Sequence, residues 1–248
     1  MRYLKRYLKF PSVEMPIHQH TAFAMCQKIA GSPIIEGDDS GRDFEILFGG
    51  SPRGIELEFF EPEYLKKFKV TCVDRKPSKK SEAPEGARVE IIGCDVFKWE
   101  PGTLFDAVAN RWFLHHLTDK QTQKFLTKSF SLLKPGGRFV AADFFFRDFT
   151  GRDDRFAALR EHYVLDEERA NMGTKHYDIV RNLNAESYDR QVSRRDFKGM
   201  KNCCVSQIRD MMKISGFVNI QSEPVQHQKD KAPGLYGSDS YVMWGDRP

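Results

Sequence analysis

The segment Leu132-Leu133-Lys134-Pro135-Gly136-Gly137-Arg138-Phe139-Val140 constrains this chain more than any other. Pro135 cannot extend a helix, and Gly136-Gly137 permit the positive φ of a sharp turn. An apolar run follows, so the segment reads as helix end, forced turn and buried strand. Upstream, Phe105-Asp106-Ala107-Val108-Ala109-Asn110 reads as another short strand that ends on a polar group. Between the two, Thr118 and Gln121 form a capping box for a helix whose Leu126, Phe130 and Leu133 recur at helical spacing. Strand, helix, strand in that order argues a parallel pair joined by a crossover.

The rest of the chain extends this pattern. A short apolar helix is expected over 21–30, closed by Gly31-Ser32-Pro33, and a strand over 44–48. The strand runs into Gly49-Gly50-Ser51-Pro52-Arg53-Gly54, followed by a helix with Ile55 and Phe59 on one face, which Pro62 breaks or restarts. A second strand spans 69–74. Residues 76–86 form a polar loop with two prolines where a crossover helix belongs, so that helix is short or missing. Further strands are expected over 88–93, 105–109 and 137–146, then a helix around Val205, Ile208 and Met212 stopped by Gly216. Strands at 217–220 and 239–244 have no helix between them, so they are expected to pair antiparallel. The fold class is α/β, a doubly wound seven-stranded sheet, mostly parallel, with an antiparallel last strand.

Composition narrows the function classes. The 248 residues carry a net charge of +4 with both signs interspersed, which does not argue for nucleic acid as a partner. No apolar run reaches the roughly 20 residues that span a bilayer. Five cysteines without C-x-x-C spacing point to a reducing compartment without disulfides or zinc, and Cys72 and Cys94 are expected in core strands. The basic first ten residues leave organelle targeting open beside a cytoplasmic location.

The "LKPGG" turn, its flanking strands and the antiparallel closing strand resemble the class I S-adenosylmethionine-dependent methyltransferase family. The resemblance implies a Rossmann-like methyltransferase fold over residues 44–248, preceded by an N-terminal helical arm or lid at 1–43. Residues 147–202 are then a helical insertion over the active site. It also implies S-adenosyl-L-methionine as cofactor, a small-molecule acceptor as partner, and a homodimer as an allowed assembly. The opening glycine-rich loop departs from the family pattern of an acid and three alternate glycines. Phe48 stands at the acid, Pro52 at the middle glycine, and Gly50 and Gly54 at the outer two.

In an open α/β sheet the ligand sits beyond the carboxyl ends of the strands. The resemblance places Gly49, Gly50, Arg53 and Gly54 at the amino-acid end of the cofactor, Asp74 at the ribose hydroxyls, and Asp95 with the Val96 backbone at adenine. Asn110 is the polar group ending the fourth strand. His115 and His116 are candidates to take a proton from the acceptor, since histidine titrates near neutral pH. Arg160, His162, Tyr163 and Tyr177 in the insertion are candidates for the acceptor site, as arginine and tyrosine suit a carboxylate, phosphate or aromatic group. Two other readings stay open. One is a non-catalytic binding or regulatory protein on the same fold, favoured by Phe48, Pro52 and the missing crossover helix. The other is a nicotinamide-dependent oxidoreductase, against which the lack of G-x-G-x-x-G counts.

Overall fold

The structure is a computed structural model that describes residues 16–36, 38, 40–51, 55–77, 84–145, 148–151, 154, 204–225 and 240–248. Its strands are β1 (Phe44–Gly49), β2 (Phe68–Asp74), β3 (Arg88–Gly93), β4 (Phe105–Arg111), β5 (Leu133–Phe144), β6 (Val218–Pro224) and β7 (Ser240–Asp246). They form one seven-stranded sheet in the order β3-β2-β1-β4-β5-β7-β6. The first five strands pair in parallel, while β7 runs antiparallel to both β5 and β6. Chain order reverses between β1 and β4, and that switch point fixes where a ligand cleft opens.

Side-chain alternation divides the core between the two faces of the sheet. On one face Phe44, Ile46 and Phe48 of β1 meet Met25 and Ile29 of α1 (Pro16–Ala30). On the other, Leu47, Val108 and Phe139 meet Phe125 and Leu126 of α3 (Asp119–Leu132) and Ile208 and Met212 of α4 (Val205–Ser215). Each fully buried phenylalanine or leucine contributes about 1.5–3 kcal/mol. Phe48, at the position of the family's acid, is fully buried in the first cluster. Its side chain therefore packs under α1.

Local signals set the element ends. Thr118 accepts from the Gln121 backbone while the Gln121 side chain accepts from the Thr118 backbone, closing the capping box at the start of α3. Gly216 ends α4 in the left-handed region at φ 101°. Three expectations need correction. The segment after the glycine-rich loop is a 3-10 helix, Ile55–Phe59, and Pro62 then starts the separate short helix α2 (Pro62–Lys67). β5 begins at Leu133, not at Gly137, because Leu133 already pairs with Phe105 before a register shift leads into the main ladder. Leu133 thus belongs to the sheet, and Cys94 lies just past the end of β3, half-buried.

Two ionic clusters brace the frame. Asp106 is fully buried and accepts from the Glu45 backbone at 2.8 Å, from Arg42 at 3.0 Å and from Lys134 at 2.8 Å. The lysine of the turn sequence is thereby tied to the strand beside it. Arg138 pairs with Asp246 at 2.7 Å and donates to the carbonyls of Lys28 and Gly31, which caps the end of α1 and holds that helix on β5 and β7.

Candidate active site

The expected residues gather at the carboxyl ends of β1, β2 and β4 and in the loop after β3. Gly49 ends β1, and a Cβ there would lie 3.2 Å from the Phe125 ring. Gly50 has φ 75° and donates its backbone N–H to the Val73 carbonyl at 2.8 Å, which bends the chain across the tip of β2. A Cβ at Gly50 would stand 2.4 Å from Cδ2 of Phe113, so glycine is required both for the turn and for the ring above it. Arg53 and Gly54 lie outside the described residues, as do Arg160, His162, Tyr163 and Tyr177.

Asp74 closes β2, half-buried, with Oδ1 accepting from the Lys76 backbone at 2.7 Å. Asp95 follows β3. It accepts from the Phe97 backbone at 3.0 Å and from Arg75 at 3.0 Å. The Phe97 hydrogen bond, helped by Arg75, holds its carboxyl below the usual aspartate range. Val96 is buried in the cluster under α3.

Asn110 is the most informative group. It sits one residue past the Phe48–Ala109 pair of β1 and β4 and opposite Ala141 of β5. Strand alternation puts it on the same face as Val108. It is fully buried, and among the described residues neither its Oδ1 nor its Nδ2 has a hydrogen-bond partner. A buried amide left in that state costs about 1–3 kcal/mol for each unpaired group, and folded proteins rarely keep one without a use for it. An orphaned donor and acceptor at the switch point fit a polar ligand. Gly49 and Gly50 stand at the end of the neighbouring strand β1, Asp74 at the end of β2 and Asp95 in the loop after β3.

Two groups here were missed by the sequence reading. Glu56, buried, accepts from the Ser51 hydroxyl at 2.8 Å and from Arg111 at 3.2 Å, and the Arg111 guanidinium lies 4.5 Å over the Trp112 ring. This cluster fastens the loop after β1 to the end of β4. Its signal was an acid two residues past Gly54 and an arginine ending the opposite strand. Burial beside it raises the Cys72 thiol to about 12 and lifts that of Cys26 well above its ordinary value. The second group is Asp143, fully buried near the end of β5. Its carboxylate lies 2.6 Å from His115 Nδ1 and accepts from the Leu114 backbone at 2.7 Å. His115 and His116 follow one another in the 3-10 turn Leu114–His116, with ring centroids 3.9 Å apart.

Residues 47–137 match the model of a family described as "Methyltransferase domain". An uncharacterized methyltransferase of Geobacillus kaustophilus is 37% identical over 71 residues, which cover 28% of this chain and 33% of that protein. The match thus spans a third of the relative's length. Among solved structures, magnesium protoporphyrin IX methyltransferase from Synechocystis aligns with a TM-score of 0.54 at 12% identity, covering 93% of this chain and 83% of its own. The 1,6-didemethyltoxoflavin-N1-methyltransferase of Burkholderia thailandensis aligns with a TM-score of 0.52 at 18% identity, covering 94% and 79%. The strand order, the antiparallel β7 and the likeness to these solved structures identify the fold as the Rossmann-like fold that methyltransferases share, and residues 47–137 are the part that matches the methyltransferase-domain model.

Proposed function

We propose that this chain is an S-adenosylmethionine-dependent methyltransferase that acts on a small-molecule acceptor. The family match over 47–137 and the neighbours that share the sheet support methyl transfer, and the Burkholderia neighbour was solved with S-adenosylhomocysteine. The observation that carries the reading is the buried, unpaired amide of Asn110 at the switch point, beside Gly49 and Gly50. Asp74 would take the ribose hydroxyls, Asp95 and the Val96 backbone the adenine. Asn110 and the turn from Gly49 to Gly54, with Arg53, would take the amino-acid end. The cofactor supplies an activated methyl on a sulfonium, so the chain's main task is to hold donor and acceptor in line. Arg160, His162, Tyr163 and Tyr177 are proposed to shape the acceptor site. Among the described residues no helix is long and apolar enough to cross a membrane. A cytoplasmic setting and a homodimer remain proposals.

One observation favours the non-catalytic alternative. The Phe113 ring is packed on Gly50, where the family's cofactor approaches the backbone. Calorimetry with S-adenosylmethionine and S-adenosylhomocysteine separates the two readings. The methyltransferase reading expects micromolar binding that Asp74→Ala weakens by about tenfold or more, the worth of hydrogen bonds to a charged group. No heat from either ligand at millimolar concentration would leave only a binding protein on a methyltransferase fold.

A further inference from the structure

Two aromatic rings stand over the glycine pair at the end of β1, and they differ in how firmly they are held. Phe125 of α3 is buried, and Phe97 and Phe139 both meet its ring edge-on with centroids 6.3 Å away. A Cβ on Gly49 would lie 3.2 Å from that ring. Phe113 leans on Phe125, ring centroids 5.0 Å apart at 65°, and covers Gly50, where a Cβ would lie 2.4 Å from its Cδ2. Phe113 is only half-buried, and it stands between the end of β4 and the 3-10 turn Leu114–His116, outside both elements. Phe125 is thus a fixed wall, and Phe113 is the ring with freedom to leave it.

The residue that aims Phe113 is Trp112. Its N–H donates to the Ala142 carbonyl at 2.9 Å, so its nitrogen stays on the ladder with β5. Its φ is 52°, in the left-handed region that a bulky L-residue rarely enters and that stores strain. This turn sends the next residue, Phe113, back over β1.

We propose that Phe113 is a gate over the amino-acid end of the cofactor, held shut by Phe125 and hinged at Trp112. The proposal rests on the methyltransferase reading above. With the ring down, Gly50 is covered, and the amino-acid end of the cofactor cannot reach that backbone. Asp74 and Asp95 follow β2 and β3, on the side of β1 away from β4, so the nucleoside end enters a part of the site that the gate does not govern. Turning Trp112 toward the right-handed region relieves its strain and carries Phe113 off Gly50, at the cost of the contact with Phe125. The two opposed contributions give two discrete arrangements, and a ligand that needs Gly50 bare binds only one of them.

The test is calorimetric titration of the full chain with S-adenosylhomocysteine and with 5′-methylthioadenosine, a nucleoside thioether that lacks the amino-acid end. A gate shut in about nine molecules of ten weakens apparent affinity about tenfold. Phe113→Ala should therefore tighten S-adenosylhomocysteine about tenfold or more and leave 5′-methylthioadenosine within about twofold of the wild type. Should Phe113→Ala not fold, Trp112→Gly reads the same gate in the opposite direction. Glycine bears φ 52° without strain, so the shut form gains, and S-adenosylhomocysteine should weaken about fivefold or more while the fragment does not change. Unchanged or weaker S-adenosylhomocysteine binding in Phe113→Ala would overturn the gate, as would a gain shared equally by the fragment. In Trp112→Gly, unchanged or tighter S-adenosylhomocysteine binding would do the same. If neither the wild type nor a folded variant binds S-adenosylhomocysteine, the methyltransferase reading itself fails and the gate falls with it.

Discussion

Gly50→Ala tests the geometry at the entrance of the site, and its cost follows from two separate terms. The first is backbone strain. Gly50 sits at φ 75°, where an L-residue costs roughly 1–2 kcal/mol. The second is collision. The added methyl would stand 2.4 Å from Cδ2 and 2.7 Å from Cγ of Phe113. Those atoms lie near the root of the ring, so the side chain cannot yield by bending its tip. Such overpacking costs about 1–3 kcal/mol. Alanine also restricts the unfolded chain and returns about 0.4–1 kcal/mol. The net loss is about 2–4 kcal/mol, which for a chain of this length lowers Tm by roughly 5–15 °C. In a Phe113→Ala background the collision is gone and the strain remains, so Gly50→Ala should then cost only about 1 kcal/mol. Urea denaturation of the four proteins, followed by tryptophan fluorescence, gives a coupling of about 1–3 kcal/mol between the positions. An equal cost of Gly50→Ala in both backgrounds would show that Phe113 does not rest on Gly50.

Three further outcomes can be checked independently. Asp106→Ala removes a buried carboxylate from Arg42, Lys134 and the Glu45 N–H, and should lower unfolding free energy in urea by about 3–5 kcal/mol, whereas substituting the exposed Asp210 should change it little. Cys72, raised to about 12 by burial, should resist iodoacetamide at about pH 8.5 in the folded chain and react fully in denaturant, as mass spectrometry would report. Asp95 is held below its ordinary value by the Phe97 N–H and Arg75, so the stability it gives is present above its unfolded value near pH 4 and is lost as pH falls through the lower folded value. In acid titration Asp95→Asn should flatten the fall in stability over that window; an unchanged slope would mean that the carboxyl is not so held.

Much of the architecture was legible because it is written locally. The capping box at Thr118 and the stop at Gly216 each act within a few residues, and the structure places element ends there, whereas Pro135, Gly136 and Gly137 lie inside β5, whose start at Leu133 is set by pairing with Phe105. The strand-end carboxylates Asp74 and Asp95 were legible as positions for the same reason. What escaped depends on contacts between distant segments. Asp143 reads in sequence as one acid at the end of an apolar strand, and only the approach of the turn after β4 makes it a partner for His115, 28 residues away. Glu56 gains its meaning from Arg111, 55 residues on. Phe113 packs on Gly50 because β1 and β4 are neighbours, and no periodicity announces that. The 3-10 form of Ile55–Phe59 likewise reflects a segment pinned between the loop and Pro62, whose i,i+4 apolar pair had suggested an ordinary helix.

The account turns on the buried amide of Asn110 being present for a ligand and not for the fold. The most direct measurement pairs Asn110→Leu with the wild type in two assays, urea stability without ligand and calorimetric titration with S-adenosylhomocysteine. Removing an orphaned polar group for an apolar one of similar size should leave the chain at least as stable, while affinity falls by about tenfold or more. A destabilised variant that binds as tightly as the wild type would contradict the account.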